Sequence, residues 1–206
     1  MEIESCDSIS DLSEMDMKCR IYMARNKPLL IKNGAKEWEA CKKWSFSYFK
    51  EGELGQTQVN ISLDPKEGGE KRRQSLRDYI LSIEESNISD KTKASPEETT
   101  KPGTCANFLP YLRAWYFPEE QQNLLDDFPN PPKFFPDKFK KLDKEFQPPF
   151  TWIFIGPEGA YSPLHRDIWF TCAWMAQIEG RKRFIFFPPS DLKHVYKKVK
   201  CCLQVT

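Results

Sequence analysis

The stretch Ser162-Pro163-Leu164-His165-Arg166-Asp167 governs the interpretation of this chain. Its His and Asp stand two residues apart, and side chains at that spacing point to the same face of a β-strand. An imidazole and a carboxylate on one face can bind one cation together. They would supply two of the three ligands of a 2-His-1-carboxylate facial triad, which holds Fe(II) and leaves positions open for substrate and dioxygen.

A His-x-Asp tripeptide by itself is weak evidence, because a surface turn with a solvated ion pair is its more common explanation. The flanking sequence favours strands. Residues 151–157 precede the tripeptide and residues 171–178 and 182–187 follow it, and each segment is apolar, rich in aromatic residues and bounded by Gly or Pro. Glu179-Gly180-Arg181 predicts a tight hairpin turn between the last two segments.

In these motifs the chain resembles the JmjC-type or cupin-like dioxygenases that depend on Fe(II) and 2-oxoglutarate. The matching elements are Gly156-Pro157-x-Gly159, Ser162-Pro163-x-His165-x-Asp167, Trp174-x-x-Gln177-x-x-Gly180-x-Lys182 and Phe187-Pro188-Pro189. Weaker similarity extends upstream through Leu112-x-x-Trp115-Tyr116 to Pro28-Leu29-Leu30-Ile31, so it touches most of the 206 residues. Within the family, the chain looks most like the members that hydroxylate protein side chains.

The resemblance implies an α+β fold in which a helical N-terminal region packs on an incomplete double-stranded β-helix, the cupin or JmjC jelly roll. It assigns His165 and Asp167 to the metal, and Lys182 to the distal carboxylate of 2-oxoglutarate, a task that suits the point charge of a lysine. Ser162 and Tyr116 would donate hydroxyl hydrogen bonds to the same carboxylate. Two alternatives stay open: Lys182 as an exposed hairpin charge, and Tyr116 as an aromatic packed in the core.

The chain departs from the family at the third metal ligand, a His on a later strand that follows a Pro-Gly turn. The other histidine of this chain is His194, which comes just after Pro189, where family members have a surface segment. The last barrel strands therefore look missing, and the chain is interpreted as a C-terminally truncated product. With two ligands, we expect the affinity for Fe(II) to fall severely and turnover to be lost unless water or another chain fills the third position.

Three classes of function remain open. The chain is a protein hydroxylase or demethylase of this family, or part of one. It is instead a pseudo-enzyme or interaction module that keeps the cupin scaffold without catalysis, or a cupin-type protein that binds a small anion. The first class is preferred, with a protein substrate by resemblance. Strand edges and apolar surface left uncovered by the missing strands predict oligomerisation or association with chaperones.

Composition further narrows the possible partners of the chain and its cellular compartment. The net charge of +1 gives no sign of nucleic-acid binding, and no apolar run approaches the roughly 20 residues of a membrane helix. The seven cysteines are odd in number and scattered, which is typical of reduced thiols in the cytosol or nucleus. Residues 1–13 are acidic and polar, so no signal peptide is predicted.

Local patterns divide the chain into four parts. Residues 1–83 are the N-terminal helical and strand part of a JmjC-like domain, 84–102 a flexible insertion poor in apolar residues, 103–200 a partial barrel and 201–206 an atypical tail. A helix is predicted after Ser8 or Ser10, with the apolar stripe Ile9, Leu12, Met15, Met17, Ile21 and Met23. Further helices are predicted after Ser45, at 76–83 behind a Ser75 cap, at 119–125 and at 137–146. Strands are predicted at 28–32, 58–63 and 111–117, and a loop at 64–73.

Overall fold

A computed structural model of the protein describes residues 5–6, 12–66, 68–91, 108–129, 131–135 and 137–195. The chain divides into two compact units. The first unit contains the chain up to Trp44, Asn123–Phe150 and the segment that begins at Asp167, and the second contains Ser45–Gln122 and Thr151–Arg166. Within the described ranges, no helix has the length and apolar character needed to cross a membrane.

Helices and strands are mixed along the chain. The helices are α1 (Leu12–Ala24), α2 (Glu39–Lys43), α3 (Phe46–Lys50), α4 (Gly52–Gln56), α5 (Leu76–Lys91) and α6 (Leu192–Val195). The strands are β1 (Ser5–Cys6), β2 (Leu30–Ile31), β3 (Gln58–Ser62), β4 (Lys71–Ser75), β5 (Leu112–Trp115) and β6 (Ile153–Ile155). Short 3₁₀ turns lie at Phe117–Glu119, Gln122–Asp127, Phe139–Lys141, Lys144–Phe146, Ile168–Phe170 and Pro189–Asp191.

Two antiparallel strand pairs form the centre of the second unit. β3 pairs with β4, and β5 pairs with β6. A bridge between Ser62 and Tyr111 joins the pairs, because each backbone amide donates to the other's carbonyl oxygen, at 2.9 and 3.0 Å. Val59 and Ile61 are buried at alternate positions of β3. The strands predicted at 58–63, 111–117 and 151–157 are therefore confirmed.

Helix α5 covers this sheet with an apolar face. Leu76, Tyr79, Ile80 and Ile83 are buried at the three- and four-residue spacing of a helix, as the sequence predicts. The helix begins behind Ser75, whose Oγ accepts a hydrogen bond of 3.0 Å from the amide of Asp78. That bond satisfies one of the amides that a helix leaves free at its N-terminus.

Two short helices pack beside α5 in the same unit. Ser45 caps α3 by accepting from the amide of Tyr48, which confirms its predicted role. Lys50 at the end of α3 donates to both carboxylate oxygens of Glu84 on α5, at 2.8 Å each. In α4, a Cβ on Gly55 would lie 2.2 Å from the carbonyl oxygen of Lys50, so only glycine fits this close approach.

The first unit is held together by a buried carboxylate and a cluster of rings. Asp127 accepts from Lys43 Nζ at 2.7 Å and from Trp44 Nε1 at 2.8 Å. Next to it, the rings of Trp38, Phe128 and Trp174 contact one another, with centroids 6.0–6.2 Å apart. Trp174, a residue of the family-like motif, therefore packs in an aromatic cluster of this unit.

The N-terminal segment follows the prediction in part. The strand predicted at 28–32 is confirmed as β2, which pairs with β1 in parallel, and Asn33 turns the chain with a φ of 56°. In α1 the buried residues are Met15 and Cys19, four apart. Placing Met17 and Ile21 in the apolar stripe was wrong, since their side chains are exposed. Ser8, Ile9 and Ser10 lie outside the described residues.

Two charged segments differ from their predicted structure. The loop prediction for residues 64–73 is wrong from Lys71 onward, where β4 begins. Pairing with β3 satisfies the backbone hydrogen-bonding groups of β4. Because β4 lies at an edge of the sheet, the side chains of Lys71, Arg72 and Arg73 remain in solvent. Helix α5 runs on past the boundary predicted at residue 84 and ends at Lys91. Residues 84–91 are therefore helical, and the rest of the predicted insertion lies outside the described residues.

The two shorter helices predicted downstream are 3₁₀ turns. Residues 137–146 form one turn at Phe139–Lys141 and another at Lys144–Phe146. Residues 119–125 contain the end of the turn Phe117–Glu119 and the beginning of the turn Gln122–Asp127. Leu142 and Phe146 are exposed, so this segment has no buried apolar face to stabilise a longer α-helix. Pro136, the predicted first residue of the helix, lies outside the described residues.

Candidate functional site

The segment that carries the Ser-Pro-x-His-x-Asp motif leaves β6 through a constrained turn. A Cβ on Gly156 would lie 2.7 Å from the ring of Tyr111, and Gly159 has a φ of +83°, a conformation that favours glycine. After this turn, Tyr161 packs edge-on against Phe108, with ring centroids 5.5 Å apart. The two motif glycines thus direct the chain from the sheet into the segment that contains His165.

His165 is half-buried and oriented by its own backbone. Its Nδ1 lies within hydrogen-bonding distance of the carbonyl oxygen of Pro163. A carbonyl can only accept, so Nδ1 carries the proton and Nε2 keeps its lone pair. Burial, with a smaller effect of the Arg113 charge, lowers the pKa of His165 to about 4. The imidazole is therefore neutral near pH 7, which is the form that binds metals.

Ser162 and Tyr116, the two predicted hydroxyl donors, also lie in the second unit. The Oγ of Ser162 is buried, and no hydrogen-bond partner is found for it among the described residues. A buried hydroxyl without a partner is unusual, because leaving it unsatisfied costs on the order of 1–3 kcal/mol. Tyr116 is half-buried, between the buried Trp115 and Phe117.

Asp167, the last residue of the motif, is the first residue of the C-terminal segment of the first unit. It directly precedes the 3₁₀ turn Ile168–Phe170, in which Trp169 and Phe170 have φ values of 54° and 56°. The amide of Phe170 donates to the carbonyl oxygen of Asp167 at 3.0 Å. Burial raises the pKa of the Asp167 carboxyl to about 6. The side chain is therefore a carboxylate that lacks part of its hydration.

Lys182 lies in the first unit, two residues beyond the turn at Gly180, whose φ is +76°. The Nζ of Lys182 is 5.5 Å from the centroid of Phe184, so the ammonium group lies over the ring. The side chain is half-buried between exposed neighbours, and burial lowers its pKa. The alternative of a fully exposed hairpin charge is not what the structure shows.

The strands predicted at the motif itself and downstream of it are not formed. His165 lies in an irregular segment, and residues 171–178 and 182–187 contain no strand. The strand and hairpin predictions for these segments are wrong, and the physical reason is the lack of a paired neighbour: a strand needs a partner for its backbone groups. Without pairing, the sequence pattern yields an extended chain.

The predicted site residues are distributed over the two units. Ser162, His165 and Tyr116 belong to the second unit, and Asp167, Lys182 and His194 to the first. His194 is exposed on α6. No group of three or more His, Cys, Asp or Glu side chains that could hold a metal occurs among the residues that the structure describes. The convergence of His165, Asp167 and Lys182 on one mouth stays a prediction.

Arg113 is a residue that the sequence analysis missed. It lies on β5 and donates to the carbonyl oxygen of Pro65 at 3.3 Å. Its charge adds to the effect of burial in lowering the pKa of His165, and it offsets part of the rise that burial causes in the pKa of Tyr111. Strand alternation alone would group Arg113 with Tyr111 and Trp115. An irregularity between Leu112 and Trp115, where Ala114 has a φ of 57°, breaks that alternation. The sequence contains no clear signal for this irregularity.

Comparison with known proteins identifies the family. The model of the cupin-like domain matches residues 15–204. A lysine-specific demethylase JMJ21 of Arabidopsis thaliana is 28% identical over 81% of this chain and 15% of its own length. A 2-oxoglutarate and iron-dependent oxygenase JMJD4 homolog of Drosophila melanogaster is 24% identical over 92% of this chain and 49% of its own.

A third relative has two named activities. The bifunctional arginine demethylase and lysyl-hydroxylase psr-1 of Caenorhabditis elegans is 24% identical over 79% of this chain and 36% of its own length. The chain thus spans less than half the length of each of these three curated relatives.

Proposed function

Because this chain belongs to the cupin-like family, in its JmjC branch, we propose that it functions as a 2-oxoglutarate- and Fe(II)-dependent oxygenase domain that acts on side chains of another protein. The observation that carries the proposal is the orientation of His165, whose Nδ1–H is donated to Pro163 and whose Nε2 stays available to a metal. Metal-binding histidines characteristically donate their other ring N–H in this way. The relatives' names, demethylase and lysyl-hydroxylase, support a protein substrate.

The donor set fits non-haem iron. Nε2 of His165 and the carboxylate of Asp167 would hold the metal, since imidazole and carboxylate together are typical ligands of Fe(II) oxygenases. The half-buried carboxylate of Asp167 gains from a nearby cation, which offsets its lost hydration. When bound, iron and 2-oxoglutarate supply the activation of dioxygen. The protein's own residues orient the ligands and the substrate.

Three residues would bind 2-oxoglutarate. Lys182 supplies a positive charge for the distal carboxylate, and Ser162 and Tyr116 supply hydroxyl donors. The buried Oγ of Ser162 supports its role, because a carboxylate oxygen would accept the hydrogen bond for which the described residues offer no partner. In this proposal β3 to β6 are part of an incomplete double-stranded β-helix.

Metal binding tests the proposal. We expect the purified chain to bind Mn(II), titrated by loss of the free-ion electron paramagnetic resonance signal. His165→Ala and Asp167→Ala should each weaken binding by more than about tenfold, since a ligand matters at least as much as a residue that orients one. His194→Ala is the matched control, because His194 is exposed on α6 and should leave binding unchanged. Equal binding by all four proteins would refute the metal assignment.

A second function is favoured by the histidine count. The chain has two histidines, so the triad would require a third ligand from elsewhere, and a non-catalytic interaction module or pseudo-enzyme would need none. An intact fold without any metal binding would support this second function.

A further inference from the structure

Strand β4 carries a concentration of positive charge. Lys71, Arg72 and Arg73 are consecutive, and all three are exposed. Among the residues that the structure describes, none of these side chains has an ion pair or a hydrogen bond. Neighbouring cations that no carboxylate contacts repel one another, so this strand would gain from a negatively charged partner.

The register of β3 and β4 divides these side chains between the two faces of the pair. Asn60 lies opposite Arg73, and Ile61 lies opposite Arg72. Residues that lie opposite each other share a face of the sheet. Lys71 and Arg73 are two apart, so both lie on the face of Asn60, which is exposed. Arg72 lies on the other face, with the buried Ile61.

The backbone of β4 has an open edge. Hydrogen-bonded and non-bonded pairs alternate along an antiparallel ladder, and the amide of Leu63 donates to the carbonyl oxygen of Glu70 at 2.9 Å. Two residues further along, Arg72 faces β3 in the same way, so the amides and carbonyls of Lys71 and Arg73 point away from β3. Within the described ranges, no strand other than β3 pairs with β4. The two cations of the exposed face thus belong to the residues whose backbone groups point outward.

We propose that β4 binds an acidic, extended segment of another protein, which adds an antiparallel strand beside it. The backbone of the partner would bond to the amides and carbonyls of Lys71 and Arg73, and two of its carboxylates, two residues apart, would lie opposite the two cations. Opposite charges on facing residues stabilise a sheet. None of these residues belongs to the candidate metal site, so this docking site is independent of the proposed oxygenase activity.

Charge and backbone chemistry together select this occupant. A second copy of the chain would place its own basic β4 against the first, and directly opposed like charges destabilise a sheet. A nucleic acid could neutralise the cations with its phosphates, but it has no ladder of amides and carbonyls to pair with the open edge. An acidic peptide segment supplies both the charge and the ladder.

Binding of a synthetic peptide tests the site. The probe is a short fluorescein-labelled peptide in which glutamate alternates with threonine. Its fluorescence anisotropy is measured in about 150 mM salt, where exposed charges more than about 8 Å apart are largely screened. We expect saturable binding to the full chain. Arg73→Glu sets a carboxylate opposite a carboxylate and should raise the dissociation constant at least about fivefold.

Arg72→Glu is the matched control for this variant. It changes the net charge by the same amount in the same strand, but its side chain lies on the other face. Screening limits its effect on the peptide, so it should raise the dissociation constant less than about twofold. Equal weakening by Arg73→Glu and Arg72→Glu overturns the proposal, and so does a chain that does not bind the acidic peptide.

Further ligands distinguish strand pairing from attraction by charge alone. N-methylation of the glutamate amides removes the donors that would pair with β4 and should abolish binding; unchanged binding overturns the strand pairing. A peptide in which lysine alternates with threonine should bind the double variant with Lys71→Glu and Arg73→Glu but not the unmodified chain. That reversal of preference requires a folded variant, and its absence overturns the charge pairing. Equally tight binding of a single-stranded oligonucleotide with the same charge also overturns the proposal.

Discussion

At the scale of single residues, Tyr79 connects helix α5 to both strands of the pair β5–β6. Its hydroxyl lies 2.8 Å from the carbonyl oxygen of Ile155 and 3.0 Å from that of Pro110, and it accepts from the amide of Leu112 at 3.1 Å. Burial raises the pKa of this hydroxyl, so it stays protonated. One side chain thus satisfies backbone groups at the strand ends that precede the His165 segment.

Removal of this hydroxyl tests its contribution. Tyr79→Phe keeps the ring in the core but leaves the amide of Leu112 and the carbonyl of Ile155 without this partner. We expect the free energy of unfolding to fall by about 1–3 kcal/mol, the cost of unsatisfied buried groups. Tyr161→Phe, in a partly exposed position of the same unit, is the control and should change it little. Chemical denaturation followed by circular dichroism measures both, and equal effects would contradict the bridging role.

At the scale of elements, α5 shows what a sequence pattern can predict. Its buried residues follow the helical period, and Ser75 stands where a cap is needed. Both signals are local, so neither depends on the rest of the fold. The C-terminal end of the helix was harder to predict, because polar residues continue it to Lys91 and Glu84 gains a partner in Lys50, 34 residues away.

The cap of α5 has a measurable effect on stability. Ser75→Ala removes the acceptor for the amide of Asp78, and we expect a loss of about 1 kcal/mol in the free energy of unfolding. Ser82→Ala is the control in the same helix: Ser82 is exposed and its hydroxyl donates to the carbonyl of Tyr79. Alanine is a better helix former in the interior, so that variant should be neutral or slightly more stable. A loss at Ser82 as large as at Ser75 would contradict the capping argument.

Elements that depend on distant partners were predicted poorly. The charged sequence of β4 predicts a loop, yet this segment forms a strand because β3 lies beside it. Residues 171–178 and 182–187 have the sequence pattern of strands, yet form no strand in the described structure, because apolar composition alone cannot supply hydrogen-bond partners. The candidate site has the same limit. The types and order of His165, Asp167 and Lys182 follow from the sequence, whereas the ring orientation of His165 depends on the local turn at Pro163.

At the scale of the whole molecule, the number of histidines in the chain bears on the proposed activity. Family membership supports an oxygenase, but the chain has two histidines and His194 is exposed on α6. Two protein ligands can bind a metal weakly and leave the third position of the facial triad to be filled by water. Binding and turnover are therefore separable properties of this chain, and a ligand added from solution can distinguish them.

Addition of imidazole provides that test. With Fe(II) and 2-oxoglutarate, we expect the chain alone to convert no more 2-oxoglutarate to succinate than its His165→Ala variant does. Millimolar imidazole can occupy the position of the third histidine ligand, so it should raise succinate formation by the unmodified chain. The increase should be smaller in His165→Ala, which would lack two ligands, and absent in Asp167→Ala. Succinate is quantified by mass spectrometry, with enzyme-free iron as the background. Turnover without imidazole would contradict the expectation that two protein ligands are too few, because water or another chain would then fill the third position. An equal response of all three proteins to imidazole would show that the reaction takes place away from His165 and Asp167.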